Sequence, residues 1–187
     1  MWRTDQRPTA DTRTTVKGKG GLITAYRLSE KDAPAVTDLL RCGSAEDRRW
    51  FHPFAVEEDV IAKLIEDAES DLYVGWQNAG NMVALSMLRG LDEGYASPMY
   101  GVFVSPNYRR LGIAKMTLQH AVTVSKLMRY PSVMLKVHDD NLAAADLYRH
   151  AGFRSAGRKD GQLFYMLELS CDKEKNTGRH ETSKGEQ

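Results

Sequence analysis

Two stretches of this 187-residue chain hold residue types that could handle a phosphorylated ligand. In Ser105–His120 ("SPNYRRLGIAKMTLQH"), two arginines and a glycine stand between an apolar run ("MYGVFV") and an amphipathic helical pattern. The first turn of a helix has free backbone N–H groups and partial positive charge. Arg109 and Arg110 beside such a turn therefore demand something negative. Gly112 and Ala114 keep the surface bare, so a phosphate could approach the main chain closely; a plain surface turn with incidental arginines is the alternative. The stretch is neither a Gly-x-x-x-x-Gly-Lys-Ser/Thr loop nor a Gly-x-Gly-x-x-Gly loop. The second stretch, "VHDDNLAAADLYRHAGF" (Val137–Phe153), puts Asn141 where strand becomes helix and Tyr148 two helical turns along the same face. Gly152 sits at a C-cap-like position, and Phe153 returns to the core. "HDDN" contains metal-ligand residue types, but Asp139 and Asp140 suit helix capping better, and no metal is expected.

The elements that must position these residues can be read from periodicity. "LITAYRL" alternates as a strand, and Ser29 with Asp32 opens a helix running to about Cys42. "GSAEDRRWFHPF" reads as a long irregular connection. A helix follows with Val56, Val60, Ile61, Leu64 and Ile65 on one face. "DLYVGWQN", the turn "NAGN" and "MVALSMLRG" read as an antiparallel hairpin, and "LDEGYAS" leads into the strand "PMYGVFVS". The next helix carries a candidate stripe of Ile113, Thr117, Ala121, Val124 and Met128 and stops at Pro131. "SVMLKVHD" is a strand, "NLAAADLYRHAG" a helix and "QLFYMLEL" a closing strand, with a short strand at 153–157. The order β-α-α-β-β-β-α-β-α-β, with a strand–helix–strand crossover around Arg109, predicts an α/β fold with a mixed sheet.

The whole chain bounds the function. Lys plus Arg total 26 against 25 for Asp plus Glu, so no global basic field favours nucleic acid. No apolar run reaches the roughly 18 residues of a membrane span, and no signal peptide is evident. Cys42 and Cys171 fit neither a disulfide framework nor zinc-ligand spacing. These features lead us to expect a cytoplasmic protein with neither nucleic-acid nor membrane partners. Residues 1–21 and 171–187 lack apolar periodicity and are expected to be flexible extensions of one domain at 22–170.

"VSPNYRRLGIA" followed by "NLAAADLYRHAGF" resembles the GNAT superfamily of acetyl-CoA-dependent N-acetyltransferases. The first segment fits that family's Arg/Gln-x-x-Gly-x-Gly/Ala pattern at Arg109, Gly112 and Ala114. The second fits its Asn…Ala…Leu-Tyr…Gly-Phe pattern at Asn141, Ala144, Leu147, Tyr148, Gly152 and Phe153. The element order from Leu22 to Leu169 agrees. The resemblance implies a GNAT-like sheet, splayed between "YGVFV" and "VMLKV" and flanked by helices, with acetyl-CoA as acetyl donor and no metal. Backbone groups of Val102, Phe103 and Val104 would pair with the pantetheine amides and the acetyl carbonyl. Amides of Arg109, Arg110, Leu111, Gly112, Ile113, Ala114 and Lys115 would cradle the pyrophosphate, and Asn141 would hold the pantetheine arm.

The implied reaction is direct attack of a neutral amine on a thioester. Tyr148 matches the family's tyrosine that protonates the leaving thiolate; an aromatic closing the helix onto the core is its structural alternative. The base departs from relatives. Ribosomal-protein alanine acetyltransferases carry a glutamate where this chain has Lys136, and others carry one near Ser97 and Pro98. His138, on the same strand face as Lys136 by period two, is one candidate base. Glu93, with Asp92, could receive the proton through water. Arg49 and His52, with Arg48, could read an anionic acceptor such as an amino-sugar phosphate. Phe51, with Trp50 and Phe54, could stack on a ring or simply pin the loop. The leading expectation is acetylation of a small primary amine, with an amino sugar as one example. Protein N-terminal or lysine acetylation and a non-catalytic acyl-CoA-binding module are the alternatives, and the fold leaves room for a homodimer.

Overall fold

The hairpin expected around "NAGN" forms from β3 (Leu72–Asn78) and β4 (Asn81–Arg89). Ala79 and Gly80 both take positive φ, 48° and 84°, the primed-turn geometry that matches strand twist. The computed structural model describes residues 14–18 and 21–169. Before the hairpin lie β1 (Thr14–Gly18), β2 (Gly21–Arg27), α1 (Ala33–Arg41), α2 (Ala45–Trp50) and α3 (Glu58–Glu66). After it come β5 (Met99–Val104), α4 (Ile113–Leu127), β6 (Ser132–His138), α5 (Leu142–His150), β7 (Arg154–Lys159) and β8 (Gln162–Glu168). They make one eight-stranded sheet in the order β1-β2-β3-β4-β5-β6-β8-β7. Every neighbouring pair is antiparallel except β5–β6, which is parallel.

Each face of the sheet has its own core. On one face, Tyr100, Leu135 and Val137 pack with Leu118 and Ala121 of α4 and with Ala145 and Tyr148 of α5. On the other, Tyr73, Leu85, Met87 and Phe103 pack with Val36, Leu39 and Leu40 of α1 and Ile61 and Ile65 of α3.

Four details differ from the sequence reading. The sheet begins before residue 22, because β1 pairs with β2 from Thr14↔Ala25 to Gly18↔Gly21; the expected extension at 171–187 lies outside the described residues. The segment expected to be irregular contains α2, nucleated by a Ser44–Asp47 capping box. The buried stripe of α4 is Ile113, Thr117, Leu118, Ala121 and Ser125. Met128 is 60% exposed, because it caps the helix end rather than continuing the stripe. On α3, Ile61 and Ile65 are buried but Val60 is exposed.

Candidate functional site

The sheet forks at β5 and β6. Only Met99↔Met134 and Tyr100↔Leu135 are in register. Beyond them β5 stays on β4 through Val104, and β6 stays on β8 through His138. Backbone direction on each bank follows from alternation. The Ser105 N–H donates to the Val83 carbonyl, so Phe103 turns its backbone to β4, while Val102 and Val104 turn theirs into the gap. On the opposite bank the Asp139 N–H donates to the Gly161 carbonyl and the Leu169 N–H to the Pro131 carbonyl. Val137 therefore faces β8 and His138 faces the gap. Of the three residues expected to offer backbone groups, Val102 and Val104 turn theirs toward the gap, where the Val104 carbonyl already accepts from Arg109 Nε. Phe103 does not, because its backbone belongs to the β4 ladder; its ring instead lies 5.7 Å from Phe51 on the α1–α3 face.

At the end of β5 the chain turns through Pro106–Tyr108 and Arg110, with φ 60°, to Gly112, with φ 84°, which starts α4. Ile113 is buried and anchors the turn. The first α4 amide with a backbone acceptor is that of Met116, bonded to the Gly112 carbonyl. Among the described residues, the amides from Arg110 to Lys115 have no protein partner. The arginines divide. Arg109 Nε donates to the Val104 carbonyl at 3.2 Å, and its Nη2 lies 2.7 Å from Asp47 Oδ1. Arg109 thus already has its negative partner, a carboxylate. Burial disfavours the Asp47 anion, but the Ser44 amide and hydroxyl with Arg109 outweigh this and hold its pKa below the ordinary value. Arg110 and Lys115 are exposed and make no ion pair among the described residues.

Tyr148 lies at the fork. Its ring meets Tyr100, the last β5 residue in register with β6, edge-on at 6.3 Å, and Phe153 at 6.0 Å. It is buried, yet its hydroxyl makes no hydrogen bond with any described residue. Burial pushes the phenol far above its ordinary pKa, so the hydroxyl keeps its proton. Asn141 caps α5 by accepting from the Ala144 N–H at 3.2 Å, which leaves its side-chain amide N–H groups without a partner among the described residues.

On the α1–α3 face, His138 receives the Gln162 side-chain amide at Nε2, 3.2 Å away, and its ring centroid is 5.9 Å from that of His52. Lys136 places its ammonium 5.3 Å from the centre of the Phe164 ring. Arg49 pairs with Asp140, which also accepts from Trp50 Nε1 at 2.9 Å. Arg48 donates to the Gly43 carbonyl. Both arginines expected to read an anion are therefore engaged. Asp139 pairs with Arg158, and Asn141 caps the helix instead of either aspartate. Glu93 lies apart, on the rim of a cavity beside α3, and Asp92 is bound by the amides of Glu69, Ser70 and Asp71.

Sequence reasoning missed Asp47. It and its neighbours make α2 a strap across the fork, with Asp47 held on the β5 bank by Arg109 and Arg49 and Trp50 held on the β6 bank by Asp140. The available signal was Ser44-x-x-Asp47, the capping pattern.

The site is thus a forked mixed sheet with backbone N–H groups of Val102, Val104 and His138 turned into the gap and a bare helix start at its mouth. The chain belongs to the acetyltransferase (GNAT) family, whose model matches residues 36–153, and it is an acyltransferase. It is 28% identical over 115 residues to a peptidyl-lysine N-acetyltransferase, YjaB, of Salmonella typhimurium, covering 58% of this chain and 72% of that one. It is 26% identical over 123 residues to the ribosomal protein bS18-alanine N-acetyltransferase of Escherichia coli, covering 64% and 77%. The fold matches that of the PaiA N-acetyltransferase of Thermoplasma acidophilum, solved in complex with coenzyme A, with a TM-score of 0.68 at 15% identity over 79% of this chain and 99% of that one. Among the described residues no helix is long and apolar enough to cross a membrane, and no group of three metal-ligating side chains occurs.

Proposed function

We propose that this chain transfers the acetyl group of acetyl-CoA to a primary amine by direct attack. One observation carries the reading: the unpaired backbone of Val102 and N–H of Val104, free amides from Arg110 to Lys115 and the unpartnered Tyr148 hydroxyl converge on one fork. The pantetheine arm extends along Val102 and Val104 with Asn141 nearby, and the pyrophosphate sits on the α4 amides with Arg110 and Lys115 beside it. A gap-facing N–H polarises the thioester carbonyl. The amine nitrogen bonds to the carbonyl carbon, the C–S bond breaks, and the sulfur takes the Tyr148 proton. The proton lost by the amine leaves through His138 or water, and Glu93 is the more remote acceptor. Arg109 serves here as a positioning residue through Val104 and Asp47.

The acceptor enters over the α1–α3 face, past Phe51 and His52. Engagement of Arg48 and Arg49 removes the main argument for an anionic amino sugar, though an uncharged small amine still fits. A peptidyl amine is the second reading, favoured by what the two relatives acetylate. The test is calorimetry with coenzyme A, followed by thiol release from acetyl-CoA across amino sugars, diamines and lysine or N-terminal peptides. Coenzyme A binding with turnover of an amine is expected. Folded protein that takes up no coenzyme A at millimolar ligand overturns the reading.

A further inference from the structure

The two faces of the sheet close the vertex of the fork in different ways. Gly101 is the first β5 residue past the last registered β5–β6 pair, Tyr100↔Leu135. It is the register partner of Met87 on β4. Cross-strand partners share a face of the sheet, and Met87 belongs to the α1–α3 face. Gly101 does not take the positive φ that favours glycine, so space rather than backbone excludes a side chain there. A Cβ on Gly101 would overlap the Met87 Cε methyl and lie 3.2 Å from its Cγ. The buried Met87 thioether therefore lies across the Gly101 backbone, where a β5 side chain would otherwise stand. On the opposite face the vertex is closed by rings. Tyr100 is buried, its hydroxyl lies 2.7 Å from the Thr117 hydroxyl, and the Tyr148 ring meets it edge-on. An unbranched thioether is the more adaptable of these two walls.

We propose that Met87 sets the length of the acyl chain this enzyme transfers, its Cε methyl closing the space over Gly101 to groups longer than propionyl. The proposal rests on the function proposed above. The Val102 N–H belongs to the Gly101–Val102 peptide and turns into the gap. A thioester carbonyl that accepts from this N–H lays its acyl carbons beside Gly101, away from the mouth where the pyrophosphate sits. Acetyl places one methyl there, and each further methylene runs toward Met87. The bonds exchanged are the same for every chain length. The amine nitrogen bonds to the carbonyl carbon, the C–S bond breaks, the sulfur takes the Tyr148 proton, and the amine proton leaves through His138 or water. Only the room for the tail differs. One methylene in an apolar pocket is worth roughly 10- to 200-fold in kcat/KM.

The test compares acetyl-, propionyl- and butyryl-CoA as donors to the amine that gives the fastest turnover, in wild type, Met87→Leu and Met87→Ala. Wild type should use acetyl-CoA at least about 10-fold better than butyryl-CoA in kcat/KM, with propionyl-CoA between them. The butyryl-to-acetyl ratio should rise about 3-fold in Met87→Leu, whose side chain ends one atom sooner, and about 10-fold or more in Met87→Ala. A ratio of two donors measured on one preparation does not depend on the folded fraction, and Met87→Leu nearly conserves core volume. An unchanged ratio in both variants, a wild type indifferent to chain length, or a change confined to KM for the amine overturns the assignment. Calorimetry with acetyl- and butyryl-CoA, without an amine, separates this proposal from the one beneath it. Butyryl-CoA that binds more tightly to Met87→Ala than to wild type, with no turnover of any amine, overturns the acetylation reading and leaves the acyl wall standing. Turnover with an unchanged ratio overturns the acyl wall alone. Folded protein that takes up neither donor overturns both.

Discussion

Tyr148 combines two properties that a core tyrosine rarely shows together, burial and a hydroxyl with no hydrogen-bond partner among the described residues. A leaving thiolate would give this hydroxyl an acceptor. Tyr148→Phe should therefore preserve coenzyme A affinity while lowering kcat about 100-fold or more; unchanged turnover on a good acceptor would remove Tyr148 from the chemistry. The pH profile adds a signed check. Burial raises the phenol pKa, so the donor form persists at alkaline pH, and kcat should rise as the amine deprotonates without a falling limb from tyrosine ionisation below about pH 10. Gly112 has a different constraint. Its φ of 84° favours glycine, while a Cβ there would meet open space rather than protein. Gly112→Asp adds backbone strain and a carboxylate where an anion is to bind. It should abolish the thermal stabilisation by coenzyme A and lower the apo Tm only modestly; retained stabilisation would displace the phosphate site from the α4 start.

At the scale of elements, the fork depends on α2. This helix ties both banks, so Asp47→Asn should release Arg109 and loosen the turn that presents the α4 amides. We expect a Tm loss of about 2–8 °C, from about 1–2 kcal/mol of cap and ion pair. KM for acetyl-CoA should rise about 5-fold with kcat little changed. A lower KM would mean instead that the freed Arg109 grips phosphate itself. Hydrogen exchange reads the fork directly: Val102, Val104 and His138 amides should exchange fast beside slow Phe103 and Val137, and coenzyme A should slow Val102 and Val104. Equal protection along β5 before ligand would contradict an open gap. The hairpin, α4 and α5 were legible because their signals are local, such as "NAGN", Gly112, Asn141 and Gly152. The partner of Arg109 was not, because Asp47 is distant in sequence and lies in a six-residue helix marked only by its capping box. The same holds for the branching point, which is set by how far β5 and β6 stay in register, a non-local property.

For the whole molecule, the two registered β5–β6 pairs are a narrow join between sheet halves. Packing of α4 against β4, β5 and β6 reinforces it, as do the carboxylates of α2 and the β6–α5 loop. The sequence reading placed most of this sheet but began it too late. β1 is a polar, threonine-led strand whose pairing with β2 comes from the ladder rather than from any apolar alternation. Electrostatics at this scale give a signed prediction. Asp47, Asp92 and Asp140 all have pKa values below the ordinary 3.8. In Asp140 the Arg49 hydrogen bond leads; in Asp92 three amides overcome partial desolvation. A carboxyl depressed in the folded state contributes its stability above the unfolded value and loses it as pH falls through the folded value. Their contribution should therefore be level from pH 7 to about 5, begin to fade near about 4, and be lost only as pH falls through the folded values, below the ordinary 3.8. Calorimetry from pH 7 to 3 should show Tm falling steeply only at the acid end. Asp92→Asn should lower Tm at pH 7 by about 2–4 °C, since three amides lose a charged acceptor, and make the acid fall shallower. An unaltered acid limb in that variant would mean that the Asp92 latch between the 69–71 and 90–92 turns does not limit stability in acid.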